Sequence, residues 1–374
     1  MTEALAARIR REGPVRFDVA VEALLYGEGG FFASGTAGAG RRRDFITSPE
    51  VGPLFGAVVA RALDAEWARL GRPDPFVVVE AGAGRGALAR AVLDAVPACL
   101  PSLRYVLVER SAALRAAAED LLPVEPATNV FGPVVTGDPD EPAEVVPGGG
   151  PVVAVLDDLP MVPVTGVVLA NELLDNLPFR LLERRGGTWQ EVLVALGDDG
   201  LEELLIEAAP DAVEEASALA SEAADGDRIP LQAAAREWVR RAVAALERGR
   251  VVVVDYAAPT TASLAARPWR EWLRTYRAQQ TGGHPLDDPG LQDVTCEVAV
   301  DQLHPGPDAD ASQADWLRAH GVDGLVQLAR DTWHERAHLG DLAALKARSR
   351  VGEADALLDP AGLGAFRVLE WVVG

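Results

Sequence analysis

Phe76-Val-Val-Val79 is a run of four apolar residues, rich in β-branched side chains and too short for a helix. Pro73 and Pro75 bound it on one side, and Gly82, Gly84 and Gly86 follow on the other. The pattern predicts a strand buried on both faces, as in a parallel sheet. Leu88, Ala91, Val92 and Ala95 then recur at helical spacing. Strand, glycine turn and helix make the first half of a nucleotide-binding βαβ unit. Apolar runs at Arg104–Val108, Val152–Leu156, Gly166–Ala170 and Arg250–Val254 predict four more core strands, and Phe366–Val373 a closing one.

Around this frame the periodicity changes. A short helix is expected over 3–11, broken by Pro14, and a second is marked by Phe17, Ala20, Val21, Leu24 and Leu25. A glycine-rich loop with aromatics follows over Tyr26–Arg43. Ser48 is placed to cap a helix with Pro49 at its first position, and the apolar stripe from Leu54 to Leu63 carries that helix to about Leu70. Three apolar segments, 179–185, 189–196 and 201–206, are joined by Gly186-Gly187 and Asp198-Asp199-Gly200, which predicts antiparallel hairpins. Helices are expected near 211–222, 231–248, 311–320 and 331–347, and Leu122–Pro151 reads as an exposed insertion.

Four successive predicted strands end in acids or an amide: Glu80, Glu109, Asp157 with Asp158, and Asn171-Glu172. Ligands of open parallel sheets bind at the carboxyl ends of the strands. Two cofactors fit the first turn. Gly82, Gly84 and Ala87 satisfy the dinucleotide fingerprint G-x-G-x-x-G/A. Glu80, Gly82, Gly84 and Gly86 satisfy E-x-G-x-G-x-G, the pattern of class I S-adenosylmethionine (SAM) methyltransferases. Glu109 can accept the ribose hydroxyls of either cofactor, so this loop alone leaves both open.

Composition narrows the partners. The 374 residues are 49% apolar, enough for one enlarged domain or two. A net charge of −22 and a pI near 4.6 repel nucleic acid and anionic membranes. No apolar run approaches the roughly 18 residues of a membrane span, and the N-terminus has no apolar secretory segment. Two distant cysteines, Cys99 and Cys296, argue for a reducing compartment, and a cytoplasmic location is expected. Lys346 is the single lysine among 35 basic residues, a bias that suggests a GC-rich bacterial genome. His334-Glu-Arg-Ala-His338 fits H-E-x-x-H, but Asp341 stands where an extended zinc-protease pattern has glycine. It is read as a coincidence on a solvated helix, and no metal is expected.

Four motifs in fixed order decide more: Asp44-Phe-Ile-Thr-Ser-Pro-Glu50, Glu80-Ala-Gly-Ala-Gly-Arg-Gly86, Asn171-Glu-Leu-Leu-Asp175 with Leu177-Pro178, and Gln292-Asp-Val-Thr295. With them the chain resembles the MidA-type SAM-dependent methyltransferases, over most of 14–330 and the final strand. Two positions depart: the family usually has Gly where Ala257 stands and Ala where Asn176 stands. The resemblance implies an α/β fold, a class I methyltransferase Rossmann-like sheet with a helical N-terminal cap and an inserted α/β substrate segment. Expected boundaries are 1–70 for the cap, 71–178 for the first part of the core, 179–248 for the insert and 249–374 for the rest. SAM is the implied cofactor, held by Glu80, Gly82, Gly84, Gly86, Glu109, Asp157, Asp158 and Thr47.

Asn171, Glu172, Asp175 and Asp255 are the implied catalytic residues. Asp44, Glu50, Tyr256, Arg274, Tyr276 and Asp293 are the implied substrate residues. Mitochondrial members are complex I assembly factors that methylate an arginine of a complex I subunit. The implied acceptor is therefore a protein arginine, in a respiratory-complex subunit, with homodimerisation left open. Paired carboxylates suit that acceptor, because a guanidinium stays charged and is gripped bidentately. The alternatives are a small-molecule O- or N-methyltransferase, a SAM-binding assembly factor without turnover, and a zinc hydrolase using His334 and His338.

Overall fold

The computed structural model describes residues 3–33, 47–131, 134–136, 144–146, 149–277 and 280–374, with the backbone alone at 134–136, 144–146 and 281. Asp44 lies outside them. The chain clusters into two compact units. One comprises residues 46–171, 241–254 and 307–374; the other comprises 1–45, 172–240 and 255–306. The helix Pro53–Arg69, assigned from sequence to an N-terminal cap, clusters with the first.

The first unit is built on seven strands: β1 Phe76–Ala81, β2 Leu103–Val108, β3 Val152–Leu156, β4 Val164–Asn171, β5 Leu246–Asp255, β6 Ala309–Ser312 and β7 Arg367–Val373. Their order is β6-β7-β5-β4-β1-β2-β3. Every residue of β1 and β2 is buried, the charged Glu80 and Arg104 included, as expected of strands covered on both faces. β1 to β5 are parallel. The chain lays β1, β2 and β3 outward in one direction, then returns to place β4 and β5 on the other side of β1. The order therefore reverses between β1 and β4, and such a reversal opens a crevice at the carboxyl ends of the strands. Glu80, Glu109, Asp157 and Asn171 stand at that edge, at or next to the ends of β1 to β4.

Three local expectations are corrected. Ser48 does not cap a helix; Thr47 holds that position, and the buried Ser48 hydroxyl donates to Gln313 Oε1 at 2.9 Å. The segment 309–312 is a strand: its four small and polar residues carry no apolar signal, yet they pair antiparallel along β7 from Glu370 to Arg367. The helix expected over 331–347 is two helices, Val322–Arg336 and Leu342–Leu357. The first ends at Arg336, a 3₁₀ turn Ala337–Leu339 follows and stops at Gly340 (φ +60°), and the Asp341 carboxylate caps the second helix by accepting the Ala344 N–H at 2.9 Å.

The second unit holds the predicted hairpins. Thr188–Leu196 pairs antiparallel with Arg180–Arg185, Leu201–Glu207 and Val15–Arg16. The helix Phe17–Tyr26 packs on this sheet through Phe17, Val21, Leu24 and Leu25, in one cluster with Phe179, Leu181, Val192 and Trp272. A small sheet pairs Leu273–Arg277 with Asp293–Cys296. That pairing sets Tyr276 opposite Asp293.

Candidate functional site

The glycine loop after β1 is a tight turn fastened to β2. Gly82 and Ala83 both donate their N–H groups to the Val108 carbonyl, at 2.9 and 3.1 Å. Gly84 adopts φ +54°, and a Cβ built there meets no described atom within 4 Å. The main chain is thus open on this side to a closely approaching ligand, which glycine permits and a side chain would obstruct. The buried Glu109 carboxylate accepts the Gly84 N–H at 3.0 Å and the Ser111 N–H at 2.8 Å, one on each oxygen. Each oxygen keeps a further lone pair, enough to receive two hydroxyls of a ribose. Burial raises the Glu109 pKa, and the two N–H bonds pull against it.

Glu80 is engaged within the protein. Tyr105 donates its hydroxyl to it at 2.7 Å, so this carboxyl ties β1 to β2. Burial pushes Glu80 up to about 7. Asp157 and Asp158 are exposed after β3. Asp158 pairs with Arg241 at 2.7 Å and accepts the Leu159 N–H. Thr47 is buried and Glu50 half-buried, both at the short helix Ser48–Val51.

The unit carrying the hairpins contains a cluster of acids. Asp255 is fully buried and accepts N–H groups from Leu173, Leu174 and Asp175 on one oxygen, at 3.2, 2.8 and 3.4 Å, and from Tyr256 on the other at 2.9 Å. The turn that results places Glu172 at φ +52°, a left-handed conformation uncommon for a residue with a side chain. Asp175 is 4% exposed, and its Oδ1 has no hydrogen-bond partner among the described residues. Burial, and then the charges of Asp255, Asp293 and Glu172, hold the Asp175 carboxyl well above the usual range. Burial also pushes Asp255 up to about 7 against the pull of its four N–H donors.

Tyr256 and Arg274 flank these acids. The Arg274 guanidinium lies 5.9 Å from the Tyr256 ring centroid, and its Nε donates to the Glu271 carbonyl at 2.6 Å. Burial raises the Tyr256 pKa, and Glu172, Tyr276 and Asp175 add to that shift. The fold thus brings Glu172, Asp175, Asp255, Tyr256, Arg274, Tyr276 and Asp293 into one unit. Glu80, Glu109, Asp157, Asp158, Asn171, Thr47, Glu50 and the three glycines belong to the other.

Two participants escaped the sequence reading. Asn176 donates its amide to Asp293 Oδ1 at 2.9 Å and to the Val294 carbonyl at 3.2 Å. Tyr105 holds Glu80. Asn176 did stand out as a departure from the family pattern; nothing local marked Tyr105. His334 and His338 do not share one helix, since the helix ends at Arg336. Among the described residues no group of three or more His, Cys, Asp or Glu is arranged to hold a metal.

Known proteins match this chain along most of its length. The family described as "Putative S-adenosyl-L-methionine-dependent methyltransferase" matches residues 58–316. A protein arginine methyltransferase NDUFAF7 homolog, mitochondrial, of Drosophila melanogaster is 31% identical over 219 residues, 54% of this chain and 46% of that protein. The worm relative from Caenorhabditis elegans is likewise matched over 46% of its length, so the chain spans about half of these two relatives. The Danio rerio protein arginine methyltransferase NDUFAF7, mitochondrial, is 25% identical over 87% of this chain and 77% of its own. A crystal structure from Burkholderia thailandensis, bound to S-adenosyl-homocysteine, is 28% identical with a TM-score of 0.79, covering 99% of this chain and 91% of that one. The open main chain at Gly84 and the spare lone pairs of Glu109 fit a ligand of this kind, a nucleoside carrying an amino-acid tail.

Proposed function

The chain belongs to the family of S-adenosyl-L-methionine-dependent methyltransferases, and on that premise we propose that it methylates the guanidinium of an arginine within a polypeptide. The observation that carries this reading is Asp175: a buried carboxyl with one unpartnered oxygen, among three other acids. Such a group destabilises the fold unless a cation completes it. A guanidinium supplies a delocalised positive charge and five N–H donors in a planar fork.

When bound, the cofactor supplies an electrophilic methyl group on a sulfonium. The loop Gly82–Gly86 and Glu109 would hold it. Glu172 and Asp175 would accept N–H bonds from the guanidinium, fix its plane and draw its positive charge away from one nitrogen. Orientation of this kind is the main requirement of an in-line transfer. The nitrogen that gains the methyl must lose a proton, and Asp175 Oδ1, which has no hydrogen-bond partner among the described residues, would be the oxygen open to receive it. The protein arginine methyltransferase relatives support this acceptor. The two buried, unbridged cysteines support a reducing, cytoplasmic setting.

The test is to incubate the purified protein with methyl-labelled SAM and a lysate lacking the endogenous protein. A labelled protein band is expected, lost in Glu172→Gln. Label confined to small metabolites would contradict the reading.

A further inference from the structure

Asn176 joins the two segments that carry the acid cluster. It ends the turn Leu174–Asn176, which packs on the strand Asp293–Cys296. Its Nδ2 donates to Asp293 Oδ1 at 2.9 Å and to the Val294 carbonyl at 3.2 Å, so both amide protons are used. Two acceptors at that position fix the orientation of the amide, since its oxygen would face them with no proton to give. Asn176 is 6% exposed and Asp293 1%, so the contact is shielded from water. Tyr26 holds the same turn from the helix Phe17–Tyr26, donating its hydroxyl to the Asn176 carbonyl at 3.4 Å.

Resting on the reading of an arginine acceptor, we propose that Asn176 is a positioning residue for the transfer: its amide holds Asp293 as the anion of the cluster and leaves Asp175 as the carboxyl that exchanges a proton with the acceptor. An N–H donated to a carboxylate favours the charged form. A charge fixed on Asp293 in turn opposes ionisation of Asp175. The two acids are therefore unequal before any substrate arrives: Asp293 is bonded to the amide, while Asp175 Oδ1 has no partner among the described residues. The charge of the entering guanidinium ionises Asp175. Asp175 then takes the proton that the nitrogen gives up on gaining its methyl, and the product guanidinium keeps its single positive charge. Without the amide, Asp293 competes with Asp175 for one proton, as two carboxyls sharing a site do. Glu172, Asp255, Tyr256, Tyr276 and Cys296 also act on this pair, and Arg274 lies beyond Tyr256, 5.9 Å from its ring centroid.

The test measures kcat/KM, which reports ionisation of the free protein, from about pH 6 to about pH 9. The substrate is a peptide spanning the arginine that SAM labels in the lysate. Asn176→Ala is expected to lose about tenfold or more near pH 6, where Asp293 takes up a proton, and about threefold or less near pH 9, where the medium ionises both acids. Asn176→Ser keeps the turn polar but is too short to span the contact. It should show the same pH-dependent loss, and it carries the test should Asn176→Ala not fold. Asp293→Asn keeps an acceptor for the amide and removes the charge; it should lower kcat/KM throughout and move the acid limb to lower pH, because Asp175 then ionises without that opposing charge. No loss with the Asn176 variants, a loss equal at every pH, or an acid limb that Asp293→Asn leaves in place overturns the role of Asn176 while arginine methylation stands. Absence of methylarginine in any labelled protein overturns the underlying reading, and this role with it.

Discussion

The Asp255 carboxylate accepts the Leu174 N–H at 2.8 Å, and this bond is the centre of a clasp. Leu173 and Asp175 donate to the same oxygen. One carboxylate therefore gathers three successive N–H groups and turns the chain sharply after β4. Glu172, at φ +52°, sits at the start of that turn. The strain is localised where the sequence motif is densest, which is where pre-organisation for a ligand is expected.

Asp255→Ala should release the turn. Charged hydrogen bonds contribute about 1.5–3 kcal/mol each, so a fall in melting temperature is expected together with loss of transfer. Misplacement of about 1 Å costs on the order of 100-fold in rate. Calorimetry should show SAM affinity nearly unchanged, because the glycine loop and Glu109 are untouched.

Asp175→Asn separates stability from activity. It removes a buried carboxyl whose ionisation Asp255, Asp293 and Glu172 oppose, so the variant should be about 1–3 kcal/mol more stable at pH 8. Methyl transfer should be lost, since an amide neither carries the charge nor accepts on both atoms. A variant that is less stable at pH 8, measured by urea titration, would show that Asp175 has a protein partner.

The same acids give a pH dependence of definite sign. Burial raises Asp175 and Asp255 above their unfolded values near 4. From about pH 4 to about 7 the native chain holds more protons than the unfolded chain. The contribution of these groups to stability is therefore complete below about 4 and declines as pH rises through that window, by at most about 1.4 kcal/mol per pH unit for each group. Asp175→Asn should flatten this decline relative to the native protein, read from denaturation midpoints at pH 5, 6, 7 and 8.

Gly84→Ala tests the glycine loop. The new Cβ meets no described atom, but φ +54° is strained for alanine, and a cost of about 1 kcal/mol is expected. The methyl would occupy the space a ligand needs. SAM affinity should fall about tenfold or more, a loss of about 1.4 kcal/mol or more. Unchanged affinity would place the cofactor elsewhere.

The β1–β5 strands were legible because a strand buried on both faces must be apolar throughout, and Phe76–Val79 and Arg250–Val254 are nearly so. β6 was not, because Ala309–Ser312 is held by backbone pairing to β7 and needs no apolar residue. The apolar and basic pattern around Leu339 hid the break over 337–340, where a 3₁₀ turn ends at Gly340 with a positive φ that is a property of the fold. Glu172 and Asp175 were legible as residues of a dense motif, and Asp255 through the resemblance and its place after a predicted strand. Asn176 reaches Asp293 across 117 positions, and Ser48 reaches Gln313 across 265; no local pattern encodes either partner.

The most direct measurement is the position of the transferred methyl, read by mass spectrometry of the protein labelled from SAM by the native chain and by Asp175→Asn. The account predicts methyl on a guanidinium nitrogen of arginine with the native chain and none with the variant. Methyl on a lysine, a carboxylate or a small molecule, or undiminished arginine methylation by Asp175→Asn, would contradict it.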